Sequence, residues 1–256
     1  MRYLLAIPVY NEAPNLQAIL HEARSYARDI LVVDDGSDDA TPRLLKTEKD
    51  VFQLRHDRNY GYGQSLKDAF EFAIQRGYDW LITMDCDEQH EPVRIPEFLQ
   101  AARENDADII SGSRYLQTMS DNTKAPMDRR LINRKITNLL NHLLDMELTD
   151  AFCGFKAYRV SALQQLNITV PGYAMPMQFW VQAVRSRMRI RELAVPLIYN
   201  DLTRCFGGAL DDPNARFNYY YQVLMTELAR EPFLNGAAKK SAQLRTNCCN
   251  TTTLQC

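Results

Sequence analysis

Three short apolar runs, YLLAIPV, DILVVDD and DWLITMD, each close on polar or acidic residues, and that repetition narrows the folds open to the chain. Continuous apolar runs bounded by polar residues mark strands buried on both faces, which belong to parallel sheets. Amphipathic stretches separate them: 15–26 carries Leu16, Ile19, Leu20 and Ala23, and 65–76 carries Leu66, Ala69, Phe70 and Ala73, all at helical spacing. Strand alternating with helix predicts an α/β fold with a mostly parallel central sheet flanked by helices. In such open sheets ligands bind beyond the carboxyl ends of the strands. Asn11 with Glu12, Asp34 with Asp35, and Asp85 with Asp87 are therefore expected to converge on one cleft.

Residues 108–111 read as a fourth strand and 130–144 as a helix with a basic start. The polar stretch 120–128, with one proline, predicts a mobile loop. Past Pro196 the apolar pattern weakens, although 217–228 is aromatic and helical in spacing. A chain of 256 residues can bury one large core, and the reading is a single catalytic domain over 1–231 with a disordered polar tail over 232–256. No run of about 18 apolar residues occurs, and Pro8 and Asn11 interrupt the opening segment too early for a signal peptide. A net charge of -2 gives no reason to expect a nucleic-acid partner. The six cysteines lack paired CxxC spacing, which argues against a zinc finger and for free thiols in the cytoplasm.

The sharpest chemical signal is MDCDEQHEP. Alternation along an extended segment would put Asp85, Asp87 and Gln89 on one side, facing one cation. Such oxygen donors suit Mg2+ or Mn2+, whose shell a diphosphate would complete. Taken alone, an Asp-x-Asp pair matches a solvated acidic turn as well. In VVDDGSDDAT, Gly36 allows a tight turn, and Ser37 and Thr41 read as helix caps. Capping does not account for Asp34 beside Asp35, whose repulsion calls for a partner such as ribose hydroxyls, a base edge or a cation. NYGYGQSLKDAF places glycines before a helix, but the third glycine of GxGxxG is absent and no clear strand immediately precedes it. That sets aside a nicotinamide-dependent dehydrogenase.

IPVYNE, VVDDGSDDAT, NYGYGQS, MDCDEQHEP, GSRY, DRRLINR and DAFCGFKAYR fall in this order within residues 5–159. Together they resemble the family 2 glycosyltransferases of GT-A fold, in the branch of dolichol- or polyprenyl-phosphate mannose synthases. The resemblance implies a Rossmann-like nucleotide-sugar-binding half over 1–115 and an acceptor half over 116–231. It implies that Pro8, Tyr10, Glu12 and Asp35 line the nucleotide pocket, with Asp85, Asp87 and Gln89 around Mg2+ or Mn2+ and Asp85 near the ribose as well. Arg114 of GSRY and Arg129 of DRRLINR match phosphate-binding arginines, a role their planar forks suit. Arg129 and Arg130 open a helix, where positive charge is unfavourable beside the dipole unless an anion is bound. GDP-mannose is the implied donor, with UDP-sugars close behind, and the implied acceptor is a lipid phosphate at the cytoplasmic face of a membrane. A phosphate acceptor is already ionised and needs no general base; for a hydroxyl acceptor, Asp150 is the expected base.

Beyond residue 160 the chain departs from the branch. Gln178 stands where relatives often carry Glu, Arg204 is displaced by two positions from the simple alignment, and the expected Gly-x-Ser-Lys reads Gly207-Gly208-Ala209-Leu210. Gly154 and Phe155 read as a turn and a packed aromatic at least as readily as catalytic residues. Without C-terminal membrane helices, docking would use an amphipathic surface, for which FNYYYQVL is one candidate, or a membrane-anchoring partner subunit. Packing on the core is the more ordinary role for that segment. Transfer to a soluble hydroxyl acceptor, and a non-catalytic nucleotide-sugar-binding subunit of a membrane complex, stay open as alternatives.

Overall fold

The computed structural model describes residues 1–119, 122–123, 125–200 and 205–230. Its centre is a seven-stranded sheet in the order β3-β2-β1-β4-β6-β5-β7. The strands are β1 (Tyr3–Val9), β2 (Ile30–Asp34), β3 (Phe52–Arg55), β4 (Trp80–Thr83), β5 (Ile109–Ser113), β6 (Lys156–Arg159) and β7 (Ile190–Ala194). β6 runs antiparallel to both β4 and β5, and the remaining pairs are parallel. Every residue of β2 and β4 is buried, as strands covered on both faces require.

The fold reverses direction at β1. The chain first adds β2 and β3 on one side, then returns to place β4 on the other. Val9 lies opposite Asp34, and Ala6 opposite Thr83, so three strand ends share one edge. This switch point is where the sheet opens a crevice.

Helices α1 (Leu16–Ala23) and α4 (Ile95–Arg103) cover the face that carries Leu5, Ile7 and Ile82. The other face, with Leu4, Ala6 and Leu81, is covered by α3 (Tyr62–Gln75), α5 (Met127–Leu144), α6 (Val160–Leu163), α7 (Met175–Arg185) and α8 (Pro213–Arg230). A short helix, α2 (Thr41–Leu45), links β2 to β3. Three strands escaped the sequence pattern for identifiable reasons. β3 alternates half-buried and exposed residues at a sheet edge, β6 is four residues long with Lys and Arg at its ends, and β7 is half-buried throughout.

In the polar stretch 120–128 the described residues make contacts of their own: the Thr123 amide donates to the Leu197 carbonyl at 2.7 Å, and the Leu197 amide to Asn122 Oδ1 at 2.8 Å. The aromatic segment lies in α8, and its Tyr220 and Leu224 are buried in the core, the packing role that is the more ordinary reading for it. No helix among the described residues is long and apolar enough to cross a membrane. The tail 232–256 and Arg204 lie outside the described residues. Cys86 and Cys153 are buried, and Cys205 is exposed.

Gln178 shows why a residue that departs from the family pattern is retained. Fully buried, it accepts the Thr169 and Val170 amides at 2.8 and 3.0 Å, and its own amide group donates to Glu227 on α8 at 2.9 Å. A carboxylate here would face Glu227 without a proton to donate. Gln178→Glu is therefore expected to lose about 2 kcal/mol of stability in urea unfolding at neutral pH.

Candidate active site

The loops after β1 and β2 are laced together by short polar side chains. The Asn11 amide, at a left-handed φ of 58°, donates to Ser37 Oγ at 2.9 Å, and the Glu12 amide donates to Thr41 Oγ1 at 2.9 Å. Asn11 also exchanges hydrogen bonds with Asp38. Ser37 and Thr41 are thus not the expected helix caps: Ala40 precedes α2, and it is the Asp39 carboxylate that accepts the first-turn amide of Thr41, at 2.8 Å. Gly36 does make a tight turn, at φ 73°, and a Cβ there would lie 2.3 Å from the Arg58 backbone.

The paired acids at the end of β2 find their partners inside the protein, which corrects the expectation that they need a ligand. Asp34 is buried, accepts the Ser37 amide at 2.9 Å and lies 3.4 Å from Arg55. Asp35 turns the other way, accepting the Tyr60 and Gly61 amides at 2.8 Å each and meeting His56 at 2.6 Å. Of the two, Asp35 lines a cavity of about 600 Å3 at the sheet edge, together with Pro8, Tyr10 and Glu12.

The Asp-x-Asp segment borders the same cavity by a different geometry from that expected. β4 ends at Thr83, and Glu88 takes a left-handed φ of 59°, so 85–89 is a folded turn and not an extended strand. Asp85, Asp87 and Gln89 nevertheless all line the cavity. The turn is pinned from below: His90 Nδ1 accepts the Asp85 amide at 2.9 Å, and Tyr62 donates its hydroxyl to Asp85 Oδ1 at 2.9 Å. Burial lowers the His90 pKa to about 4, leaving a neutral ring whose proton must sit on Nε2 because Nδ1 is an acceptor. Burial, then the Asp85 charge, holds the Tyr62 phenol well above its usual range, so it stays a donor. Gly154 leaves the space this requires, since a Cβ there would stand 2.5 Å from Asp85 Oδ2. Phe155 beside it stacks on Phe98 with ring centres 4.4 Å apart.

The same cavity also carries positive charge, with Arg114, Arg129 and Arg216 all lining it. Arg114 follows β5 and is clamped by Asp150, its Nε and Nη2 donating at 2.7 and 3.0 Å. Asp150 is fully buried and also accepts from Asn133 at 2.7 Å and from the Phe152 amide at 3.0 Å. Burial alone would raise its pKa, but Arg114 and these donors overcome that and hold it at about 2. Such a carboxylate is a poor proton acceptor and does not line the cavity, so the reading of Asp150 as general base is corrected: it orients Arg114. Arg129, in the first turn of α5, stacks over Phe206 at 5.0 Å and Tyr199 at 5.8 Å. Arg216 of α8 was missed in the sequence, where it looks like an ordinary charge ahead of an aromatic helix. It pairs with Asp128 at 2.5 Å and lies 4.4 Å over Phe206.

The family model described as glycosyl transferase family 2 matches residues 5–166. The chain belongs to glycosyl transferase family 2. This glycosyltransferase is 30% identical over 223 residues to undecaprenyl-phosphate mannosyltransferase of Micrococcus luteus, covering 83% of this chain and 90% of that one. It is 30% identical over 213 residues to polyprenol monophosphomannose synthase of Mycolicibacterium smegmatis, covering 78% and 79%. In the GT-A fold it resembles glucosyl-3-phosphoglycerate synthase of Mycobacterium tuberculosis, solved with Mn2+, uridine diphosphate and phosphoglyceric acid. That match has a TM-score of 0.67 at 15% identity and covers 89% of this chain and 78% of the other.

Because the Asp150 carboxyl is depressed below its ordinary value of 3.8, its contribution is present at neutral pH and is lost as pH falls from about 4 towards about 2. Asp150→Asn is expected to lower the unfolding free energy of the transferase at neutral pH by about 3 kcal/mol, with the difference from wild type shrinking over that acid range. Urea titrations at several pH values check this.

Proposed function

We propose that this transferase moves a hexose from a nucleoside-diphosphate sugar, GDP-mannose or a UDP-hexose, to a polyprenyl phosphate, inverting the anomeric centre. The observation that carries this reading is the division of charge in one cavity. Among the described lining residues every carboxylate, Glu12, Asp35, Asp85 and Asp87, follows β1, β2 or β4, whereas the three arginines come from the segment after β5, from α5 and from α8. With Asp150 sequestered, none of the described lining residues from β5 onward is a carboxylate that could serve a hydroxyl as base, whereas an ionised phosphate needs none. The names of the two bacterial relatives, a mannosyltransferase and a mannose synthase on polyprenyl phosphates, point the same way.

In this reading Pro8, Tyr10, Glu12 and Asp35 hold the nucleoside. Asp85, Asp87 and Gln89 fit Mg2+ or Mn2+ through the nature of their donors: among the described residues no three His, Cys, Asp or Glu side chains form a complete cage. Two carboxylates and an amide leave positions for diphosphate oxygens and water, as Mg2+ favours. Once bound, the ion neutralises charge on the departing diphosphate. Tyr62 keeps Asp85 in place, and Asp150 keeps the Arg114 fork preset toward phosphate, so neither group reorganises during transfer. Arg129 and Arg216 draw the acceptor phosphate, and the rings of Tyr199 and Phe206 suit the hydrocarbon next to it. Residues 1–231 act as one catalytic unit at the cytoplasmic membrane face, reached through its own surface or a membrane-anchoring partner subunit.

Asp87→Asn is expected to abolish the metal-dependent rise in melting temperature that a nucleotide sugar gives the wild type, and to lower kcat by about 100-fold. Arg129→Ala is expected to raise the acceptor KM by about tenfold while the donor still stabilises the protein normally. Thermal shifts paired with steady-state kinetics separate the two halves of the site. Loss of donor stabilisation in Arg129→Ala, or its survival in Asp87→Asn, contradicts the division.

A further inference from the structure

His56, at the end of β3, lies between two carboxylates from different elements. Nδ1 is 2.6 Å from Asp35 Oδ1 at the end of β2, and Nε2 is 2.7 Å from Asp68 Oδ2 on α3. The ring is 11% exposed, and Tyr60 meets it edge-on with centres 5.4 Å apart. The other charged neighbours are occupied elsewhere: Arg55 pairs with Asp34, and Arg58 stacks on Tyr60 at 5.0 Å. Gln64 holds the second oxygen of Asp68 at 2.9 Å. A carboxylate only accepts, so only an imidazolium, with a hydrogen on each nitrogen, bonds both. A neutral ring would set a lone pair against a carboxylate oxygen.

The same Asp35 accepts the Tyr60 and Gly61 amides at 2.8 Å, and Asp35 and Gly61 both line the cavity. The backbone here tolerates little movement. Gly61 has φ 107°, and a Cβ on it would fall 2.5 Å from the Pro171 carbonyl.

We propose that His56 is a positioning residue of the donor pocket: as an imidazolium bridging Asp35 and Asp68, it fixes the Asp35 carboxylate and, through it, the Tyr60–Gly61 wall against which the nucleoside lies. This rests on the donor-site reading above. Burial opposes the charge, but the two carboxylates outweigh it and raise the His56 pKa above 6.5. The bridge is therefore intact below that raised value and is lost as pH rises through it, so donor affinity falls with increasing pH.

Binding of GDP-mannose and UDP-glucose in Mg2+, measured by calorimetry from about pH 6 to about pH 9, tests this. Both diphosphates are esterified at each end and have no phosphate proton to lose in that range; the guanine and uracil N–H groups begin to ionise at its upper end, and His56→Gln, which meets the same ligands, controls for that. The wild type is expected to bind about tenfold more weakly at the upper end, while His56→Gln binds about tenfold more weakly at the lower end and shows no such pH dependence. The imidazole NMR signal absent from His56→Gln should titrate over the interval in which wild-type affinity falls. If His56→Gln fails to fold, the His56 signal is assigned in the wild type by through-bond correlation to its own backbone, and its coincidence with the fall in affinity decides. Wild-type affinity that is flat across the titration of His56, or His56→Gln binding like wild type, overturns the proposal and leaves the donor site standing. Failure of every nucleotide sugar to bind at any pH overturns the donor-site reading and this proposal with it.

Discussion

Parallel pairing of β1 with β2 on one side and β4 on the other is the constraint on which the rest of the molecule depends. Parallel neighbours point their carboxyl ends the same way, so the polar residues that follow each strand have no choice but to meet. The apolar runs that make the pairing possible are buried on both faces, and they cannot slip by one residue without exchanging the two cores. Register and site are thus set together: Val9 opposite Asp34 brings the Asn11 and Ser37 loops within hydrogen-bond reach.

That convergence crowds carboxylates, and the protein relieves the crowding with an internal partner for each. Arg55 meets Asp34, His56 meets Asp35, Tyr62 meets Asp85, and Arg114 meets Asp150. The pairs are not equivalent. Asp150 and Arg114 satisfy one another so completely that the acid is withdrawn from proton chemistry, while the arginine still borders the cavity. Asp35 and Asp85 also keep a place on the cavity wall after their partners are counted. Burial and partner choice, more than residue type, separate the acids that support the site from those that face its contents.

The elements that the sequence foretold were those whose signal is local. β1, β2 and β4 announce themselves as apolar runs, 108–111 reads as the strand that is β5, and α1, α3, α5 and α8 each read as helical, although α3 begins at Tyr62, α5 at Met127 and α8 at Pro213, ahead of the expected starts. β3, β6 and β7 carry no comparable signal, since an edge strand or a four-residue strand gains its place from neighbours. The same distinction holds at the site. Acids at strand ends were legible because the α/β pattern says where strand ends go, and the resemblance of seven ordered segments pointed to Arg114 and Arg129. Ser37 and Thr41 were misassigned because a hydroxyl before a helix looks alike whether it caps that helix or receives an amide from another loop. Asp150 and Arg216 depend on contacts 36 and 88 residues distant in the chain, which no local pattern encodes.

The nature of the acceptor tests the account most directly. The enzyme, Mg2+ and a radiolabelled GDP-mannose or UDP-glucose would be incubated with a polyprenyl phosphate or, in parallel, with the same lipid as its free alcohol, and the lipid products analysed. A cavity whose described lining from β5 onward carries arginines and no carboxylate predicts label in the phosphorylated lipid alone, released by mild acid as a glycosyl phosphate should be. Transfer to the alcohol or to a soluble sugar, with the lipid phosphate inert, would contradict it.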